Sequence, residues 1–219
     1  MLRREFSSLL GLSAALPLVV PSTAFAQFVE GQQFARLATP QANPPGKIEV
    51  LEFFLYTCPH CNAFDPALRQ WSSQLPADVV FRRVHGGFNV VTKLLQKLFF
   101  TLEAMGLLAT THERVFAAIH VNRVDIDSED AIMNLAKGLG VDMVKFKQTW
   151  SSFGVMSKCQ AANKLSENYH VETVPMIAVG GRYTTSPAMA APRIRDEAQA
   201  GQMTIPIINH LITLSRGKA

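Results

Sequence analysis

The chain has 219 residues, 48% of them apolar, with 21 basic against 17 acidic side chains for a net charge of +4. That size and apolar share fit one domain with a substantial core, with room for an insertion. The positive surplus is mild, with no basic run or aromatic–basic alternation, which excludes nucleic-acid binding. Three cysteines are too few for a disulfide scaffold, and six histidines without ligand spacing argue against a metal centre.

Met1-Leu2-Arg3-Arg4 is a basic start, residues 9–20 are an apolar run too short to span a bilayer, and Ala24-Phe25-Ala26 is a small-x-small cleavage pattern. The reading is a signal peptide over residues 1–26, with the mature chain beginning at Gln27. Arg3-Arg4-Glu5-Phe6 resembles a twin-arginine signal, so export by the Sec or the twin-arginine route is expected. Either route leads out of the cytoplasm, and in a bacterium into the periplasm, where disulfides persist.

Residues 41–46 are a turn-rich linker into a strand over residues 48–56, followed by Cys58-Pro59-His60-Cys61. A helix is expected from Cys58 to about Leu75, kinked by Pro66 near Asp65. Residues 79–84 read as a second strand, closed by Gly86-Gly87. From Val90 to about Asn168 the apolar residues recur at helical spacing, and four or five helices are expected there. Ser128 and Asp142 are placed to cap two of them, and residues 153–166 form another. Strand character returns at residues 176–179, a Gly180-Gly181 turn and residues 182–185, which together read as a hairpin. Residues 187–202 are expected to be a mobile loop and residues 205–216 a final amphipathic helix.

The chemistry concentrates on the cysteine pair. A strand that delivers Cys-x-x-Cys to a helix start places Cys58 beside amide N–H groups that lack intrahelical acceptors and beside the positive end of the helix dipole. Its thiolate is thereby stabilised and its pKa lowered. Pro59 suits the first helical position, where its missing N–H is no loss, and His60 adds positive charge. That arrangement exchanges disulfides. Glu52 stands in an otherwise apolar strand, so it either titrates high or finds a partner, the alternative being a water-facing carboxylate. Val174-Pro175, which opens the hairpin, is by itself an ordinary strand start. Cys159 reads as a reduced core cysteine behaving as a small hydrophobe, with interchain pairing or regulation as alternatives. His85 and His120 read as ordinary surface or core residues.

Taken together, Leu51-Glu52-Phe53-Phe54, Cys58-Pro59-His60-Cys61, Thr173-Val174-Pro175 and Ile177-Ala178-Val179-Gly180-Gly181-Arg182-Tyr183 resemble the DsbA family of periplasmic thiol:disulfide oxidases, members of the thioredoxin superfamily. The resemblance spans essentially all of the mature chain. It implies an α/β thioredoxin-like fold with an inserted helical domain: residues 27–87 and 169–219 as the two thioredoxin-like parts, 88–168 as the insertion. It further implies that Cys58 is the exposed nucleophile, Cys61 its buried partner, and Pro175 a cis proline beside the disulfide. Val174 would expose backbone that pairs with an extended substrate peptide. His60 would stabilise the Cys58 thiolate, and Glu52 would accept a proton near Cys61. His85-Gly86-Gly87-Phe88 falls where the family's active-site rim is expected.

On this reading no diffusible cofactor is needed, because the Cys58–Cys61 disulfide is the oxidant. The partners are exported proteins with paired cysteines and a quinone-coupled inner-membrane reoxidant of the DsbB type, and the chain is a monomer. Stabilising the Cys58 thiolate stabilises the reduced protein, so a lower pKa makes the disulfide a stronger donor. Three other readings stand beside the oxidase. An isomerase would need a dimerisation domain, for which the segment between Gln27 and the first strand is too short. A reductase would favour a different dipeptide between its cysteines, and a Cu(I)-binding chaperone could use Cys58 and Cys61 as soft ligands.

Overall fold

The computed structural model describes residues 28–217; the expected signal peptide lies outside the described residues. A central sheet runs in the order β1-β5-β4-β2-β3, from β1 (Ala35–Arg36), β2 (Ile48–Phe54), β3 (Val79–His85), β4 (Met176–Val179) and β5 (Tyr183–Thr185). Only β2 and β3 pair in parallel, joined by the crossover helix α1 (Pro59–Ser72); the other pairings are antiparallel. β2 lies between β4 and β3, and its apolar character, broken only by Glu49 and Glu52, follows from burial on both faces from Val50 to Phe54. Val50 belongs to a core shared with α1 and α8 (Glu197–Arg216), whereas Leu51, Phe53 and Phe54 belong to one shared with the helical block.

That block consists of α2 (Val90–Ala104), α3 (Leu108–His120), α4 (Glu129–Gly138), α5 (Met143–Trp150) and α6 (Phe153–Asn168), all between β3 and β4. The expected caps are in place: Ser128 Oγ accepts from Ala131 N–H, and Asp142 Oδ1 accepts from Val144 and Lys145 N–H. The hairpin forms with Gly180 and Gly181 both at positive φ, which glycine adopts without strain. Among the described residues no helix is long and apolar enough to cross a membrane.

Several boundaries differ from expectation. β2 stops at Phe54, because residues 55–58 close a turn in which Cys58 N–H donates to Leu55 C=O at 3.1 Å. α1 continues through Pro66 and ends at Ser72; Pro66 lies on its exposed side, where water can serve the carbonyl left without an N–H. The expected mobile loop at 187–202 is mostly helical. Ser186 caps the short α7 (Pro187–Ala190), and Asp196 caps α8 by accepting from Gln199 N–H at 3.0 Å. α8 therefore starts well before Pro206, which it carries inside. Cys159 is half-buried at the margin of the helical core rather than within it, and burial pushes its thiol up to about 11.

Candidate active site

Cys58 is the N-cap of α1, in extended backbone (φ −84°, ψ 117°), with Pro59 opening the helix. Both cysteines of the pair are free thiols, Cys58 half-buried and Cys61 fully buried. Cys58 is pushed down to about 6. The largest cause is the hydrogen bond that Cys61 donates to its sulfur, against an opposing cost of burial; the amides of Cys61 and His60 and the charge of His60 follow. Cys61 moves far the other way, because burial and the neighbouring Cys58 sulfur both oppose a second thiolate. One member of the pair is thus an ionised sulfur at neutral pH and the other a held proton.

His60 is exposed and turns away from the core, its Nδ1 2.8 Å from Glu197 Oε1 at the start of α8. The hydrogen bond from Cys61 and the helix-end amides therefore do more for the thiolate than the histidine charge does. On the other side of the sulfur, Val174 C=O lies 3.4 Å from Cys58 Sγ, which donates to it only when protonated, and the Val174–Pro175 peptide is cis. Pro175 is buried. The two elements that sequence spacing kept apart are in contact at the reacting atom.

Beneath the cysteines lies a buried charge cluster. Glu52, 1% exposed, faces Arg83 of β3, whose Nε donates to Glu52 Oε2 at 2.9 Å. The parallel register puts these two residues side by side. Burial raises Glu52 to about 7, with Arg83 opposing the rise and Asp65 and Cys58 adding to it. Arg83 Nη2 also donates to Asp65 Oδ1 at 2.7 Å, and Arg69 Nε to Asp65 Oδ2 at 2.8 Å. Burial works to raise Asp65, but the neighbouring His112 ring and the charges of Arg83 and Arg69 together hold it below the usual carboxylate range.

A sequence model of the DSBA-like thioredoxin domain matches residues 77–199, more than half of the chain. The thiol:disulfide interchange protein DsbA of Bordetella parapertussis is 40% identical over 204 residues, which cover 93% of this chain and 92% of that protein. The chain belongs to the DsbA family. DsbA of Pseudomonas aeruginosa is 38% identical over 71% of this chain and 74% of its own. The crystal structure of a Pseudomonas aeruginosa DsbA superposes with a TM-score of 0.80 at 34% identity, covering 87% of this chain and 96% of that one. That of oxidoreductase DsbA from Xylella fastidiosa gives 0.75 at 28% identity, over 86% and 98%. The fold is the thioredoxin-like fold with a helical insertion, as the resemblance implied.

Next to the DsbA-type cysteine pair, a groove of about 560 Å³ runs from His60 and Thr173-Val174-Pro175 to α7 and the start of α8. Pro187, Ala188, Ala191 and Ile194 make one wall apolar, and Arg195 and Glu197 stand on it as charged members. Of the residues singled out in the sequence, His60, Val174 and Pro175 line the groove's head and Cys58 and Pro59 adjoin it at the helix start, while Cys61 and Glu52 are buried and Cys159 lies apart, against the helical core. Sequence reasoning missed Asp65, Arg83, Tyr56 and His112. Arg83 carried a usable signal, since a basic residue in a strand paired in register with a buried glutamate is its expected partner. His85 and His120, read as ordinary, both bind Tyr56, and Phe88, at the end of the expected rim segment, is 54% exposed.

Proposed function

We propose that this chain is a thiol:disulfide oxidoreductase that donates its Cys58–Cys61 disulfide to newly exported proteins in the periplasm. The observation that carries the reading is the opposed pair of thiols, one pushed down to about 6 and its neighbour pushed far up by burial. In the first step a substrate thiolate attacks Cys58 Sγ, the bond to Cys61 Sγ breaks, and Cys61 leaves with the electron pair. Buried Cys61 then takes a proton, for which the Glu52 carboxyl, held near 7, is the donor. A second substrate thiolate attacks the substrate sulfur of the mixed disulfide, and Cys58 leaves as the better-stabilised thiolate. Two electrons have passed from substrate to protein, which is left as the dithiol.

Val174 supplies backbone for strand-like pairing with the substrate peptide, Pro175 packs beside the sulfurs, and Pro59 and His60 shape the helix start. The disulfide serves as the oxidant without a diffusible cofactor, and a DsbB-like, quinone-coupled membrane protein restores it. Residues 1–26 are the signal peptide, 27–87 and 169–219 the thioredoxin-like parts, 88–168 the insertion, and the chain acts as a monomer. The test is equilibration of the Cys58–Cys61 pair with glutathione in a Cys159→Ser background. A potential well above the glutathione couple supports the donor; one near that of thioredoxin overturns it in favour of a reductase.

A further inference from the structure

Tyr56, fully buried two residues before Cys58, has each of its three polar groups bonded to a different histidine. Its N–H donates to His85 Nε2 at 3.1 Å. Its C=O is 2.8 Å from His120 Nε2, and its hydroxyl is 2.8 Å from His112 Nδ1. His85 comes from the end of β3, His112 and His120 from α3 of the helical block. Partner chemistry assigns the protons. His85 Nδ1 faces Gly86 C=O at 2.7 Å and must donate there, which leaves Nε2 free to accept from Tyr56. His120 Nε2 faces a carbonyl and donates.

For His112, Nε2 lies 3.3 Å from Asp65 Oδ1, off the line of a well-formed hydrogen bond. Asp65 is held ionised and already serves Arg83 and Arg69, so it cannot donate. The imidazole therefore carries its proton on Nε2, and Nδ1 accepts from the Tyr56 hydroxyl. The result is one directed chain, from the Asp65 carboxylate through His112 to Tyr56. Tyr56 and Thr57 are the central residues of the Leu55–Cys58 turn that sets the nucleophile on the end of α1. The thiolate's stabilising contacts, from the Cys61 thiol and the helix-end amides, are short-ranged and depend on that placement.

We propose that Tyr56 and His112 are positioning residues for Cys58: the Asp65–His112–Tyr56 chain fixes the Leu55–Cys58 turn, and through it the helical block holds the nucleophilic sulfur in its stabilised place. The proposal deepens the thiol:disulfide reading above and rests on it. The test compares Tyr56→Phe, which keeps the ring in its aromatic surroundings, with the parent in a Cys159→Ser background. Readouts are the Cys58 pKa, from thiolate absorbance against pH, and the potential against glutathione.

Thiolate stabilisation is expected to fall about three- to tenfold, the order of one hydrogen bond, making the protein roughly 15–30 mV less oxidising. His112→Phe should give the same shift and the double variant no larger one, since both break a single chain. His112→Gln, whose amide can accept from Tyr56 and donate towards Asp65, should restore most of it. Unchanged pKa and potential with only a lowered melting temperature, or additive shifts in the double variant, would overturn the proposal. Should the variants not fold, nitrogen chemical shifts of His112 in the parent decide: the Nε2–H tautomer supports the chain and the Nδ1–H tautomer sinks it. Because the shifts are differences from the parent, a reducing parent potential would defeat the oxidase reading while leaving this comparison intact.

Discussion

Glu52→Gln separates the titration of the buried carboxyl from its packing. The substitution keeps the side-chain shape and removes the ionisable proton. Its constant cost, the weakened bond to Arg83, is the same at every pH and cancels when stability differences are compared between two pH values. With a folded-state value of about 7 against the ordinary 4.5, the folded protein holds this proton more tightly than the unfolded chain does. The sign follows from linkage: the stabilising contribution is complete below about 4.5 and is lost as pH rises through 7. Between pH 5 and pH 8 that loss amounts to about 2–3 kcal/mol in the parent and to nothing in the variant. Denaturant unfolding of the dithiol form at both pH values should therefore show Glu52→Gln gaining about 2–3 kcal/mol on the parent between them. A differential under about 0.5 kcal/mol would mean that Glu52 titrates at an ordinary value and is no proton donor for Cys61. The reduction potential gives a second reading of the same proton. Reduction takes up one proton at Cys61, which corresponds to about 30 mV per pH unit for a two-electron couple. The Cys58 thiolate raises Glu52 further, so the parent's slope should exceed the variant's just below pH 7 and match it above pH 8.

His60→Gln should raise the Cys58 pKa by less than about one unit, because the histidine charge ranks behind the Cys61 bond and the helix-end amides among its causes; thiolate absorbance against pH measures it, and a shift of several units would reverse that ranking. Gly201→Ala should destabilise by about 1–3 kcal/mol, since a Cβ there would lie 2.8 Å from Phe64 Cδ2 and 3.3 Å from Phe64 Cα where α8 packs on α1; denaturant unfolding reads this, and unchanged stability would mean that the two helices have room to move apart.

What could be read in the sequence is what local chemistry determines. Ser128 and Asp142 announce their helices because a cap needs only its own next three residues. Gly180-Gly181 announces the hairpin because both positions require positive φ. The cysteine pair and Val174-Pro175 were legible as motifs, and family resemblance joined them across the sequence. Illegible were features made by tertiary contact. Asp65 entered the sequence reading only as the place of a kink, because nothing local shows that α1 turns it onto Arg83 and His112. The final helix is expected from residue 205, but it starts at Glu197, capped by Asp196 inside the segment read as a loop. Three histidines scattered over residues 85–120 have no spacing that would mark them as a set; only the seating of α3 against the end of β2 makes them one.

That seating bears on why the helical block is placed where it is. The thioredoxin-like part alone provides the helix start, the buried thiol and the proline loop. It also leaves Arg83, Asp65 and Arg69 clustered beneath the cysteines, where an exposed cluster would be screened by water. α3 covers it: His112 faces Asp65, and Arg69, which binds Asp65, also reaches Glu113 Oε2 at 2.9 Å. By excluding water from the Asp65 side of the cluster, α3 keeps the local dielectric low there and strengthens the charge contacts that Asp65 makes. The same helix grips Tyr56 through His112 and His120. On the roles proposed above for Cys58 and Tyr56, the insertion would act on the redox pair through the turn that carries Cys58.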